Sequence, residues 1–284
     1  EPPLSEPIET DARASVDAPV SVDAPVSVDA PVSVDAPVSV YDRLRAARPA
    51  CGAGFIVLLD VDKPPAAGLE AFAEACTGAG ADAFFVGGSL MDTHALGAFV
   101  RALKSATDRP VISFPGSLSQ VAPDFDAVLY LSVVSGRNPE YLIGQHVHAA
   151  PMIRRMGLEA IPTAYLLIES GRPTTAQYMS GSMPIPRHKP EIAAATALAA
   201  EMMGMRLVFT DAGSGAEHPV SEEMVAAVAR TCQAPLVVGG GLETAEAVAR
   251  RARAGAAFVV VGNAIERRGG DAAYVADLAA AAHG

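Results

Sequence analysis

The sequence predicts an α/β fold of the (β/α)8 TIM-barrel class, with the helix after the third strand missing or reduced. Three observations carry this. From Tyr41 onward, short apolar runs alternate with Ala-rich segments whose apolar residues recur at helical spacing. The runs number eight, and short apolar strands separated by helices are buried parallel strands covered on both faces. The body that holds them has 244 residues, 284 less the first 40, which matches the about 250 residues of one closed barrel.

The elements follow in order. Residues 1–40 form an acidic low-complexity arm: residues 15–38 are four copies of Ser-Val-Asp-Ala-Pro-Val, and a fifth begins at Ser39. A proline at every sixth position removes a backbone donor and restricts its predecessor, so neither a helix nor a central strand can run through. An extended, polyproline-like tether is expected. Residues 41–284 form the barrel domain. Its strands are expected at Phe55–Asp60, Ala83–Gly87, Val111–Phe114, Ala127–Ser132, Ile161–Ile168, Leu207–Asp211, Leu236–Gly239 and Phe258–Gly262. Helical spacing covers Leu69–Thr77, Thr93–Ser105, Glu140–Met156, Glu191–Met203, Ser221–Cys232, Ala245–Ala254 and Ala272–Ala282. Between Phe114 and Ala127 the run PGSLSQVAPDFD has two prolines and no room for a normal helix.

Charge and composition exclude several classes. The net charge is -11, and the arm holds eight acids and one base, or -7, leaving -4 for the barrel. With no block of Lys or Arg, sequence-independent binding of nucleic acid through phosphates is not expected. Three cysteines without CxxC spacing (Cys51, Cys76, Cys232) suit reduced thiols in a cytoplasm. Glu201, Gly204 and Arg206 interrupt the longest apolar stretch, Ile192–Val208, short of the about 20 residues of a membrane helix. With acids where an export signal would carry positive charge, no such signal is expected. A cytoplasmic protein is expected.

In such a barrel the chemistry stands at the C-terminal ends of the strands. Those ends read Asp60-Val61-Asp62-Lys63, Gly87-Gly88-Ser89, Pro115-Gly116, Asp211-Ala212-Gly213-Ser214-Gly215, Gly239-Gly240-Gly241 and Gly262-Asn263. Glycine lets backbone N–H groups approach an anion, so the last two loops form a phosphate cradle that the AGSGA loop extends. Glycines that only tighten turns are the plainer alternative. Asp60, with a hydroxyl at Ser89 on the next strand, can share Mg²⁺, which takes few protein oxygens and completes its shell with water and substrate phosphate. Asp60 could instead cap its turn. If the strand continued, Asp60 and Asp62 would point the same way. Lys63 either meets phosphate charge or is solvated. Asp211 lies beside the cradle and can act as general base on a hydroxyl of whatever phosphate sits there. His146 and His148 face different sides of a helix and cannot chelate together; all six histidines are expected in surface or cap roles. No nucleophilic triad spacing is present.

Over residues 52–268 the chain resembles the geranylgeranylglyceryl phosphate synthases and their bacterial relatives. The motifs are LLDVDK, FFVGGS, VISFPGS, SVVSGRNPEYLIGQ, IPTAYLLIESG, MPIPRHKPEIAAATALAAEMMGMRLVF, DAGSGA, VVGGG and VVVGNAIE. The resemblance implies a barrel lacking one helix after strand 3 and transfer of a prenyl group from a prenyl diphosphate to a hydroxyl of a three-carbon phosphate. It also implies Mg²⁺ on the diphosphate, held by Asp60 and Ser89. Acceptor-phosphate contacts fall on Phe209, Thr210, Asp211, Ala212, Gly213, Ser214, Gly215, Gly240, Gly241, Gly262 and Asn263. Phe85, Phe114, Tyr130, Tyr165 and Tyr178 are candidates for an apolar prenyl groove or, equally, for plain core packing, and Tyr165 and Lys63 for substrate contacts. The expected assembly is a homodimer, with weak membrane association through the lipid product.

Departures from the family pattern point to an altered acceptor. Phe209-Thr210-Asp211 stands where the family has Tyr-Leu-Glu, Val61 where it has Pro, and Ser135-Gly136 where Asn-Ser is usual. Polar swaps at a site built to hydrogen-bond a substrate change specificity strongly, by about 10⁴ or more. With the Ala, Val and Arg content and the unusual arm, these swaps resemble the moenomycin-type branch, which attaches farnesyl to 3-phosphoglycerate in phosphoglycolipid antibiotic biosynthesis. The alternative is an ether-lipid synthase joining geranylgeranyl or heptaprenyl to sn-glycerol 1-phosphate. Another phosphate-binding barrel, such as a thiamine phosphate synthase or an isomerase, and a non-catalytic scaffold are the readings from other classes.

Overall fold

The computed structural model describes residues 38–284 apart from 66, 67, 89 and 92. The expected arm falls on residues 1–37, outside the described residues, and Ser89 lies outside them as well. Eight parallel strands close into a barrel in chain order: β1 (Gly54–Leu59), β2 (Ala83–Val86), β3 (Val111–Ser113), β4 (Ala127–Val133), β5 (Glu159–Leu167), β6 (Leu207–Asp211), β7 (Leu236–Gly239) and β8 (Phe258–Val261). The ladder from β1 to β8 completes the ring, with Phe55 opposite Val259. Most of the strands are short apolar runs because both of their faces are covered, and β5, the longest, opens on the partly exposed Glu159 and the exposed Ala160. Phe85, Ile112, Leu129, Ile161 and Phe209 fill the interior, while Phe84, Val86, Leu166, Val208 and Val238 alternate outward to meet the helices.

The helices are α1 (Val40–Ala47), α2 (Leu69–Gly78), α3 (Leu96–Ser105), α4 (Gln145–Met156), α5 (Thr175–Ser180), α6 (Pro190–Met202), α7 (Glu222–Thr231), α8 (Ala245–Arg253), α9 (Asn263–Arg267) and α10 (Ala272–His283). After β3 only a single 3₁₀ turn forms, Leu118–Gln120, so the reduced helix is where the prolines put it. The segment expected as one helix over Glu140–Met156 begins as a π-helical turn, Glu140–Gly144, before α4. Serine and threonine caps start α7 and α8, through Ser221 to Met224 and Thr244 to Ala247.

Three helices have no counterpart in the sequence pattern: α1, α5 and α9, of eight, six and five residues. Each is too short for a 3.6-residue period to register. The first has a structural role. Tyr41 and Leu44 are buried in the same cluster as the barrel interior. The Tyr41 hydroxyl donates to the Arg206 carbonyl at 2.8 Å, and the Arg206 guanidinium lies 4.0 Å from its ring centroid. Glu159 accepts from the N–H groups of Val40 and Tyr41, and Ser39 caps Asp42 N–H. The compact unit that holds the barrel spans Val38–Gly284, and an excision of residues 1–40 would remove the Ser39 cap of this helix. Among the described residues no helix is long and apolar enough to cross a membrane.

Candidate active site

One cavity of about 430 Å³ opens at the C-terminal ends of the strands and reaches sideways from the barrel axis. Its two ends differ in chemistry. The axial end is polar and glycine-rich, lined by Asp211, Gly213, Ser214, Gly215, Gly240, Gly241, Gly262 and Asn263. The lateral end is apolar, lined by Leu118, Val121, Val128, Ala149 and Ile153 with Tyr130 and His146. The lateral end exists because the chain builds no full helix after β3, leaving the flank of β4 to α4 and the 3₁₀ turn alone.

At the polar end, backbone conformation sets the shape. Gly213, Gly215, Gly240 and Gly241 all have positive φ, from 69° to 89°, which L side chains rarely adopt. A Cβ on Gly240 would stand 2.6 Å from an Asp211 carboxylate oxygen and 2.7 Å from the Gly213 nitrogen. Asn263 donates to the Ser214 hydroxyl at 2.9 Å, tying the loops after β6 and β8 together. Strand alternation sorts the β6 residues. Phe209 and Asp211 face the cavity, whereas Thr210 and Ala212 turn outward. Thr210 is fully buried and donates to the Val237 carbonyl. Thr210 and Ala212, both expected among the acceptor contacts, do not line the cavity: the pleat carries both side chains away from it.

Asp211 ends β6, nearly enclosed. One of its oxygens accepts from the Tyr165 hydroxyl at 2.5 Å and the other from Gly213 N–H at 2.8 Å. Burial raises its pKa, and the Tyr165 and Gly213 hydrogen bonds oppose that rise. Burial, with the adjacent Asp211 charge, pushes the Tyr165 phenol well above its ordinary range, so the phenol stays protonated.

Asp60 lies one residue past β1 at the cavity rim. The strand stops at Leu59, so Asp60 and Asp62 share no strand face. Instead Asp60 accepts from Asp62 N–H at 3.1 Å and pairs with Lys63 at 2.9 Å, which makes it a turn-capping acid with carboxylate surface left at the rim. Lys63 also approaches Glu266 to 3.8 Å, and the hydrogen bond to Asp60 holds the Lys63 pKa up. Burial raises the Glu266 pKa, with Lys63 opposing. Gly88, next to Ser89, packs on Asp60: a Cβ built on Gly88 would stand 3.6 Å from the carboxylate. Among the described residues no three His, Cys, Asp or Glu side chains converge as a metal cage. A rim carboxylate outside any closed ligand cage fits Mg²⁺ that takes its other ligands from water and substrate phosphate, and does not fit a closed structural metal.

The aromatic candidates divide. Phe114, Tyr130 and Tyr165 line the cavity. Phe85 is fully buried beneath Phe114 and Phe209, and Tyr178 is 84% exposed on α5; neither lines the groove. Two residues escaped the sequence reading. Gln120, 2% exposed, donates to the Gly88 carbonyl at 2.8 Å and accepts from Gly116 N–H at 2.9 Å, joining the loops after β2 and β3. A glutamine inside the helix-poor PGSLSQ segment was the available signal. His146, expected at the surface or in a cap, is buried against Tyr130, its Nε2 3.2 Å from the Ser132 hydroxyl. Burial lowers its pKa, so it is a neutral wall of the apolar end. His283 likewise has a fixed partner, Asp82, at 2.9 Å.

Comparison with known proteins gives the same frame. Geranylgeranylglyceryl phosphate synthase of Chitinophaga pinensis is 49% identical over 229 residues, 81% of this chain and 90% of that protein. The synthase of Korarchaeum cryptofilum is 46% identical over 74% of this chain and 86% of its own length. The crystal structure of (S)-3-O-geranylgeranylglyceryl phosphate synthase from Thermoplasma acidophilum, in complex with its substrate sn-glycerol-1-phosphate, superposes with a TM-score of 0.80. It is 34% identical and covers 87% of this chain and 99% of that one. A thiamine phosphate pyrophosphorylase from Pyrococcus furiosus, 15% identical with a TM-score of 0.56, shares the fold alone. The PcrB family model matches residues 49–281, and this chain belongs to the PcrB family.

Proposed function

We propose that the protein transfers a prenyl group from a prenyl diphosphate to the hydroxyl of a three-carbon phosphate, forming an ether. The observation that carries this is the two-ended cavity. Its glycine-lined end suits a small phosphate and its apolar end an isoprenoid chain, and the two meet where Asp211, Phe114 and Tyr165 stand. Holding both substrates in one cavity makes the reaction effectively unimolecular.

The acceptor phosphate lies against Gly213, Ser214, Gly215, Gly240 and Gly241, whose backbone meets it without a Cβ in the way. Asp60, with the Ser89 hydroxyl, would hold Mg²⁺ near the diphosphate; when bound, the cation neutralises charge building on the leaving group. The prenyl C–O bond breaks with its electron pair leaving on the diphosphate. A new C–O bond forms from the acceptor oxygen, whose proton passes to Asp211. The apolar walls exclude water that would otherwise give the free prenyl alcohol.

Glycerol phosphate is the acceptor supported by the relatives, one of which holds sn-glycerol-1-phosphate as substrate. A second reading, farnesyl transfer to 3-phosphoglycerate in a moenomycin-type pathway, draws on Asp211. Its carboxylate is one methylene shorter than the family's glutamate and accepts from Tyr165, so the acid beside the acceptor differs in length and reach from the family's.

Competing the two acceptors against farnesyl and geranylgeranyl diphosphates, with products weighed by mass spectrometry, tests the reading. One ether product that requires added Mg²⁺, and its loss in Asp60→Asn at unchanged melting temperature, are expected. Full activity of Asp60→Asn would remove the metal assignment, and the absence of any ether would remove the function.

A further inference from the structure

We infer that Tyr165 is a positioning residue for Asp211: its hydroxyl fixes the carboxylate and is committed to that bond, leaving Asp211 to take the acceptor proton. The inference deepens the proposed prenyl transfer and rests on it.

The geometry begins in the sheet. Tyr165 on β5 is in register with Phe209 on β6, and its side chain reaches two residues further along β6 to Asp211. Tyr165 is 7% and Asp211 8% exposed, and both line the cavity. The ring has little freedom to swing, because Phe114 and Phe209 pack on it with centroids 6.0 Å and 5.6 Å away. Each Asp211 oxygen receives one donor, Tyr165 on one and Gly213 N–H on the other. A carboxylate with two oxygens keeps lone pairs for a third partner, which at this place is the acceptor hydroxyl.

The other tyrosines of the cavity are committed elsewhere. The Tyr130 hydroxyl donates to the His146 carbonyl at 2.7 Å, and that of Tyr141 to the Met179 carbonyl at 3.0 Å. Charged groups on the same wall are paired off: Lys63 with Asp60, and Arg267 with Glu243, while Glu266 faces Lys63. What bears on the Asp211 proton is burial, Tyr165 and Gly213. Without the phenol, burial acts on one oxygen unopposed, and the carboxyl retains its proton to higher pH. A base that is already protonated cannot accept the acceptor proton.

The test compares wild type, Tyr165→Phe and a variant with a fluorinated tyrosine at 165. The pH profile of kcat/KM for prenyl transfer is recorded, and the Asp211 carboxyl is titrated by infrared spectroscopy, its band assigned through Asp211→Asn. Tyr165→Phe should move the acid limb to higher pH. At a pH on the wild-type limb, its loss should exceed the loss on the alkaline plateau by about tenfold. The carboxyl titration should move with it. The fluorinated ring, a stronger donor that keeps the packing, should move both the other way. An equal loss at every pH, with the Asp211 titration unmoved in both variants, would overturn the inference. Should wild type transfer no prenyl group, the titration still decides whether Tyr165 governs Asp211, and the failed activity counts against the functional reading alone.

Discussion

Gly240 and Asp211 sit so close across the β6–β7 seam that a single added carbon cannot fit between them: it would lie 2.6 Å from the Asp211 oxygen. The cradle and the candidate base are therefore one construction. Gly240→Ala should displace both at once. Its φ of 81° alone costs about 1–2 kcal/mol with a Cβ present, a fall in melting temperature of about 4 °C before the collision is counted. The acceptor KM should rise by at least about tenfold, while the prenyl diphosphate KM moves little. Steady-state kinetics with each substrate varied in turn checks this.

Asp211 should make stability depend on pH. Its folded pKa is raised, chiefly by burial, so the stability it contributes is fully present below the ordinary carboxylate range. That contribution is lost as pH rises through the folded value. Asp211→Asn has no such titration. The melting temperature of the variant relative to wild type should therefore increase between acidic and alkaline buffers, even as its transfer activity disappears. A difference that stays flat across the series would mean that Asp211 does not titrate abnormally.

Ala149 lines the apolar end and is 5% exposed. Enlarging it to Phe fills the groove where an isoprenoid tail would pass. Ala149→Phe should lower use of geranylgeranyl diphosphate relative to farnesyl diphosphate by about tenfold, since each lost methylene contact in a pocket is worth about 1 kcal/mol or more. Competition between the two donors measures the ratio directly.

Tyr41 tests the helix that the sequence pattern missed. Tyr41→Ala should cost about 3–5 kcal/mol by opening a cavity below the barrel interior. Tyr41→Phe should cost about 1 kcal/mol through the lost bond to the Arg206 carbonyl. Denaturant unfolding separates the two. Because α1 joins the interior from the end away from the strand C-termini, the acceptor KM of Tyr41→Phe should match wild type.

The eight strands were legible because both-face burial forces continuous apolar runs, as in FIVLL and LVVG. The reduced helix was legible from the prolines of PGSLSQVAP. Short helices were not, since α5 and α9 complete less than two turns. At the site, glycine loops announce themselves by composition, and Asp211 by standing before one. What composition cannot show is direction. Whether Thr210 or Asp211 faces the cavity depends on where the pleat begins, and a one-residue change of phase exchanges them. Nor does a sequence show pairing across the barrel: Tyr165 and Asp211 are 46 residues apart, and Gln120 meets Gly88 over 32.

On the proposed function, one cavity joins an acceptor oxygen to a prenyl carbon. The most direct measurement uses glycerol phosphate carrying heavy oxygen in its hydroxyls, mixed with a prenyl diphosphate, Mg²⁺ and the protein. A prenyl ether that retains the heavy oxygen is expected, with diphosphate released in equal amount. Prenyl alcohol carrying solvent oxygen as the sole product, or no consumption of the diphosphate at all with either three-carbon acceptor, would contradict it.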